Sequence, residues 1–470
     1  MWNRQFFSLT LTLLASFLST AHRGTVAAPH GDHDLEIRTW NHKNHWVTTW
    51  GSMPQLTEPA NLPPAPFNET GRVFFNTTIR QTVQVSTGAE YIRLRISNAF
   101  GGSDLPITAV TIALPRPGEN GGAGTSAIRV ETLQSLTFSG DSSFTVPVGA
   151  LVVSDPIKFK IKSQSVVTVS IYLAKGQETN DIASHPGSRT SSWFSFGNYV
   201  DAEDLTDAST QKVEHWYFIS AIEAWAPRDS AAFVIVGDSI TDGRGSDDNK
   251  NNRQEYQGSE PLKKKKLIES RWPDLLLKKM QSNRHTSNIA IVNQAAGGNR
   301  ILNDGLGPNA LSRIDRDVLT QSGVKYAMIY EGVNDIGTAD NTTEAQEAIG
   351  DRLIAAYKQI ASRVHTHGIP VFAATITPFI APNSTIQPYS DPIREETRKR
   401  VNAWIRHSNV FDAVIDFDKI VADPEDSSQL NPKYNSGDYL HLNVDGFQAL
   451  ADAFPLFLFK RFANGVDSFQ

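Results

Sequence analysis

The sequence predicts an α/β protein in two parts: a parallel sheet covered by helices on both faces, preceded by an antiparallel β-sandwich of the jelly-roll type. Three observations lead there. From about Trp46 to Ala226 the apolar residues recur with period two, broken by Gly, Pro, Ser and Asp clusters. Beyond Pro227, short apolar runs alternate with helical stretches, the rhythm of a parallel sheet. Polar blocks follow those runs, at the strand ends where open parallel sheets bind ligands.

Composition narrows the chemistry before any motif is read. The 470 residues are 40% hydrophobic and 20% charged, with a formal charge of −6 at pH 7. Such a chain can bury a core, and it lacks the concentrated positive charge that binds nucleic acid or anionic membrane. With 0 Cys, thiol nucleophiles, disulfides, iron–sulfur clusters and thiolate zinc sites are all excluded. The reaction must use oxygen and nitrogen side chains.

The N-terminus has the form of a secretion signal. Arg4 precedes an apolar run from Phe6 to Leu18, and small residues follow at Ser19 and Ala21 and again at Val26 and Ala28. The run is too short to span a bilayer, which takes roughly 20 apolar residues. The expectation is a signal peptide within residues 1–28, cleaved after Ala21 or Ala28, and a mature secreted product without a membrane anchor. Sequons at Asn68, Asn76, Asn341 and Asn383 fit N-glycosylation.

In residues 46–226, Val83 and Val85, then Ile92, Leu94 and Ile96, alternate with polar residues around a turn at Ser86 to Ala89, the pattern of a hairpin. Further short strands are expected at Ile128 to Val130, Ile157 to Ile161 and Val167 to Leu173. Gly118 to Gly124 reads as a loop, since it lacks the lysine and the strand-to-helix context of a phosphate-binding loop. In residues 230–465, buried strands are expected at Phe233 to Val236, Ile289 to Val292, Tyr326 to Tyr330, Pro370 to Ile376 and Val414 to Phe417. Helices are expected at Trp272 to Met280, Glu344 to His367, Ile393 to Arg406 and Asp445 to Phe462.

The strand ends carry the chemistry. Gly237-Asp238-Ser239-Ile240 follows the first run and puts a serine where the backbone must turn sharply, as a nucleophile requires. No serine in the chain meets the G-x-S-x-G pattern, and a second Gly-Asp-Ser at residues 140–142 reads as a turn in the β-rich half. Ala296-Gly297-Gly298-Asn299-Arg300 follows the second run and offers backbone N–H groups to developing negative charge. Gly332-Val333-Asn334-Asp335 follows the third, where an asparagine amide can serve an oxyanion or cap a helix. Asp438-Tyr439-Leu440-His441 follows the last, spaced so that the carboxylate can orient the imidazole as a general base.

These four blocks, in this order, resemble those of the SGNH (GDSL-type) serine hydrolases, over about residues 230–465. Trp46-Val47-Thr48-Thr49-Trp50 and Arg95-Ile96-Ser97-Asn98-Ala99-Phe100-Gly101 are similar to the accessory domain of a two-domain branch of that family. The resemblance implies Ser239 as nucleophile, His441 as general base and Asp438 as its orienting carboxylate. The backbone N–H of Ser239 and of Gly298 and the Asn334 amide would form the oxyanion hole, with no metal or organic cofactor. Asp242 and Arg300 would brace the site or touch substrate. Two positions depart from the family pattern, Ala295 where a glycine is common and Leu442 where proline is frequent; neither removes a catalytic group.

The function implied is a secreted serine esterase that removes short acyl groups, such as acetyl, from carbohydrate or other polar esters. A lipase or lysophospholipase on the same triad and a catalytically inert carbohydrate-binding protein are the alternatives. The segment after Ala183 and Trp193 are candidates for reaching the site from the β-rich half. The His30, His33, His42, His45 cluster and the Lys263 to Lys266 run read as solvated segments rather than a metal site and a polyanion track.

Overall fold

The computed structural model describes residues 43–69, 71–118, 121–246 and 271–467. The expected signal peptide, the Lys263 to Lys266 run and three members of the histidine cluster lie outside the described residues. The fourth, His45, sits on a strand with its ring Nε2 3.0 Å from the Ser230 carbonyl oxygen.

A five-stranded parallel sheet organises the C-terminal half. Its strands are Ala231–Gly237, Ile289–Ala295, Val324–Tyr330, Val371–Ala374 and Ala413–Ile415, in the spatial order 2-1-3-4-5. The first strand reads Ala-Ala-Phe-Val-Ile-Val-Gly and is buried throughout, as a central strand covered on both faces must be. The helix Trp272–Gln281 packs on Val444–Ala453, and Thr343–His365 packs on Pro392–His407. The right-handed rule for parallel crossovers, applied to the order 2-1-3-4-5, puts these two pairs on opposite faces, a three-layer arrangement. The expected helix from Asp445 to Phe462 is broken: it ends at Ala453, and a short helix, Phe457–Arg461, resumes after Pro455, which has no N–H to continue the first. Phe417, expected to close the last strand, instead opens the helix Phe417–Val421.

The N-terminal half is antiparallel. A six-stranded sheet contains Thr77–Gln84, Val166–Leu173, Ala109–Ala113 and Ser192–Phe196; a five-stranded sheet contains Asn44–Gly51, Ile219–Pro227, Ala89–Ser97 and Ile157–Ile161. One hydrophobic core, including Ile79, Val83, Leu94, Ile96, Val169 and Ile222, fills the space between them. The hairpin expected around Ser86 to Ala89 is not formed, because its two strands lie in different sheets. Alternation is the same for a hairpin partner and for a strand across the sandwich; the turn decides, and this one is pinned outward. Ser86 N–H donates to the Thr49 carbonyl at 2.7 Å, and Ser86 Oγ donates to the Ile291 carbonyl at 3.0 Å. Ile128 to Val130 likewise forms only an isolated bridge to Pro115, followed by a 3₁₀ turn at Val130–Thr132.

The halves are bound along a seam. Val47 and Ala226 of the antiparallel half belong to the hydrophobic core of the parallel sheet. Thr48 N–H donates to the Ser322 carbonyl at 2.8 Å, and the Ser322 hydroxyl donates at 2.9 Å to the buried Glu223, which also pairs with Arg93 and Arg95. By its contacts the chain from Lys43 onward is a single unit.

Candidate active site

The strand order reverses beside the strand Ala231–Gly237, and the crevice at such a reversal is where these sheets bind ligands. Gly237 ends that strand and Ser239 opens a one-turn helix, Ser239–Asp242. Asp238 is the N-cap, its carboxylate accepting from the Ile240 N–H at 2.9 Å. Gly243 ends the turn at φ 95°, a conformation that suits glycine. So short a turn is marginal by itself. Its neighbours hold it: the Asn293 amide donates to the Thr241 carbonyl at 3.1 Å, and the Trp272 indole donates to Thr241 Oγ1 at 3.2 Å.

Across the crevice, Ser239 Oγ lies 2.8 Å from His441 Nε2, and His441 Nδ1 lies 2.6 Å from Asp438 Oδ2. The other Asp438 oxygen accepts from the Leu440 and His441 backbone N–H groups at 3.0 and 2.8 Å. Burial opposes ionisation of Asp438, but the hydrogen bond and charge of His441 and those two N–H groups outweigh it and hold the carboxyl well below the usual range. Burial also disfavours a charged His441, and the nearby Arg244 and Arg189 charges add to this. Against the opposing pull of Asp438, the imidazole is held below its ordinary value. It therefore stands neutral at pH 7, able to accept a proton from the serine.

Asn334, in the helix Val333–Thr338, donates through Nδ2 to the Asn299 carbonyl at 2.9 Å. Its Oδ1 accepts from the Tyr389 hydroxyl at 3.1 Å, which fixes the amide and leaves a second N–H on Nδ2. Gly298 has φ +71°, and a Cβ there would also run into the Leu306 side chain. Asp335 ties the two blocks together by accepting from the Ile301 and Leu302 N–H groups at 2.9 and 3.0 Å.

Residues 233–454 match the family described as GDSL-like Lipase/Acylhydrolase. This half of the chain is a GDSL-type hydrolase domain. It is a carboxylic ester hydrolase by that membership. Similar solved structures include a GDSL-like lipase from Bacteroides thetaiotaomicron, at 15% identity and TM-score 0.33, covering 49% of this chain and 88% of that one. Another is a catalytic mutant of an acetylxylan esterase from Geobacillus stearothermophilus, at 21% identity and TM-score 0.33, covering 48% of this chain and 92% of that one. No curated protein matches the chain.

The GDSL domain thus brings Ser239, Asp438 and His441 into hydrogen-bonded sequence and places Gly298 on the loop after the strand Ile289–Ala295 and Asn334 in the first turn of the helix after the strand Val324–Tyr330. Arg300 braces its own surroundings, donating to Thr338 Oγ1 at 3.3 Å and to the Asp304 carbonyl. Asp242 faces the antiparallel half, 3.1 Å from His185 Nε2. The segment after Ala183 therefore does reach the nucleophile turn, whereas Trp193 donates to the Gly124 carbonyl within its own half. The motifs did not point to His185, Arg189 or Tyr389. Tyr389 lies in the long stretch between the strand at 371 and the helix at 392, and that length was the only signal.

The GDSL domain also buries several carboxyls. Burial pushes Asp238 up to about 7 and Glu331 up to about 8. Arg313 is 3.5 Å from Glu331, but its donors are committed to Asn299, the Gln294 carbonyl and Asp317, and neither Glu331 oxygen accepts a hydrogen bond among the described residues. Asp242 goes the other way. Burial opposes its ionisation, but the charge and hydrogen bond of His185, with Arg189 and Arg271, hold it below the ordinary range.

Proposed function

We propose that the protein is a secreted serine esterase that removes short acyl groups, such as acetyl, from carbohydrate or other polar alcohols through an acyl-enzyme. The observation that carries the reading is the unbroken line from Ser239 Oγ through the neutral His441 to the ionised Asp438. Ser239 Oγ attacks the ester carbonyl while His441 Nε2 takes its proton. The carbonyl oxygen, now negative, is held by the N–H groups of Ser239 and Gly298 and the free N–H of Asn334. His441 then protonates the leaving alcohol as the C–O bond breaks, and water, deprotonated by His441, releases the acid. One oxyanion donor contributes roughly 2.7–4 kcal/mol in a comparable hydrolase.

The polar substrate is supported by the charges beside the base, where the exposed Arg244 and the buried Arg189 of the antiparallel half both bear on His441. Secretion is supported by the N-terminal run, and glycosylation by the exposure of Asn341 and Asn383. No helix among the described residues is long and apolar enough to cross a membrane.

The test is hydrolysis of p-nitrophenyl acetate, butyrate and octanoate by the full chain beside Ser239→Ala. Turnover that falls with chain length and vanishes in the variant is expected. A maximum at octanoate would overturn the short-acyl assignment, and turnover surviving Ser239→Ala would overturn the serine mechanism.

A further inference from the structure

The nucleophile turn is held from outside its own domain. Asp242 closes that turn, its N–H donating to the Asp238 carbonyl at 2.9 Å, and its carboxylate is 1% exposed. Oδ1 lies 3.1 Å from His185 Nε2, while Oδ2 accepts no hydrogen bond among the described residues, so His185 sets the direction of the carboxylate. His185 is itself immobilised. It is 3% exposed on the strand Ala183–His185, its Nδ1 is 3.1 Å from the Met53 carbonyl oxygen, and its ring stacks on Trp216 at 5.7 Å and 27°.

The surroundings are built for close approach. A Cβ on Gly187, in the turn after the strand Ala183–His185, would collide with the Asp242 carboxylate, so only glycine lets that turn come this near. Two residues on, Arg189 takes φ +52°, a region L side chains seldom adopt and which structures keep where surrounding contacts demand it. Its Nε points to the Asp242 carbonyl at 3.5 Å.

We propose that His185 of the antiparallel half is a positioning residue for Ser239, acting through Asp242, which makes that half part of the hydrolase site rather than an appended binding module. The inference rests on the serine reading above. A one-turn helix has too few internal bonds to hold a nucleophile within the tolerance that attack requires, and misplacement by about 1 Å can cost about 10²-fold in rate. The Asp242 anchor supplies part of that restraint.

Two variants of the full chain separate positioning from packing. In His185→Gln the amide nitrogen stands near the original Nε2 and keeps the bond to Asp242; in His185→Asn it stands near Nδ1 and keeps only the bond to Met53. On p-nitrophenyl acetate, His185→Asn is expected to lose kcat roughly 10- to 100-fold at unchanged KM, and His185→Gln to recover most of it, with similar thermal unfolding of both. Equal kcat in the two variants, or a change confined to KM, would overturn the proposal. If neither variant folds, Asp242→Asn, which keeps an acceptor, and Asp242→Leu, which does not, ask the same question; a kcat loss confined to leucine supports it and equal values sink it. Ser239→Ala keeps the two readings apart. Turnover surviving that change removes the nucleophile assignment and the proposal with it, whereas an inert Ser239→Ala beside equal His185 variants removes the proposal alone.

Discussion

The Tyr389 hydroxyl donates to Asn334 Oδ1 at 3.1 Å, and that bond decides which way the asparagine amide faces. With Oδ1 occupied and one N–H on the Asn299 carbonyl, the remaining N–H of Nδ2 is the one available to a developing oxyanion. Removing the hydroxyl frees the amide to turn its acceptor toward that negative charge. Tyr389→Phe is therefore expected to lower kcat roughly three- to tenfold, the size of one neutral hydrogen bond, and Asn334→Ala roughly 10²- to 10³-fold, with KM little changed in both. Steady-state kinetics on p-nitrophenyl acetate check this. A Tyr389→Phe enzyme with wild-type kcat would contradict the orienting role.

The pH dependence follows from His441. The base must be neutral to accept the Ser239 proton, and burial together with the Arg244 and Arg189 charges lowers its pKa from the ordinary 6.5 despite Asp438. Activity is expected to rise with pH through that lowered value, so the midpoint of the acid limb of kcat/KM falls below 6.5. A midpoint above it would show that the Asp438 pairing outweighs burial. Asp438→Asn removes the carboxylate that selects the tautomer and is expected to cost about 10⁴-fold in kcat.

Glu331 links stability to pH in the opposite sense from the Asp438 carboxylate. Its folded value of about 8 lies above the ordinary 4.5, so the folded state favours the protonated form. The stability this contributes is fully present below pH 4.5 and is lost as pH rises through about 8. Glu331→Gln keeps the shape without the charge. It is expected to stabilise the protein by on the order of 3 kcal/mol at pH 8.5 and to change little at pH 5. Thermal unfolding at the two pH values measures the difference; an equal effect at both would show that Arg313 keeps the carboxylate ionised throughout.

Much of the fold was legible locally. The five parallel strands lie where the apolar runs lie, because a strand buried on both faces needs an unbroken apolar stretch. The Pro455 break and the absent hairpin at Ser86 were not read. Helical periodicity runs across a proline without registering its missing N–H, and strand alternation carries no information about which sheet a strand joins.

The order of the four blocks along the chain was enough to nominate the groups of the candidate site. Ser239, Gly298, Asn334, Asp438 and His441 each follow a strand of one sheet, and parallel strands bring their carboxyl ends to one edge whatever the intervening loops do. Tertiary structure decided how those groups are held. The Tyr389 hydroxyl on Asn334 and the His185 imidazole on Asp242 join residues 55 and 57 positions apart, the second across the seam between the halves. Bonds of that kind depend on how two separately patterned surfaces meet, and neither surface carries a local periodicity that records its partner.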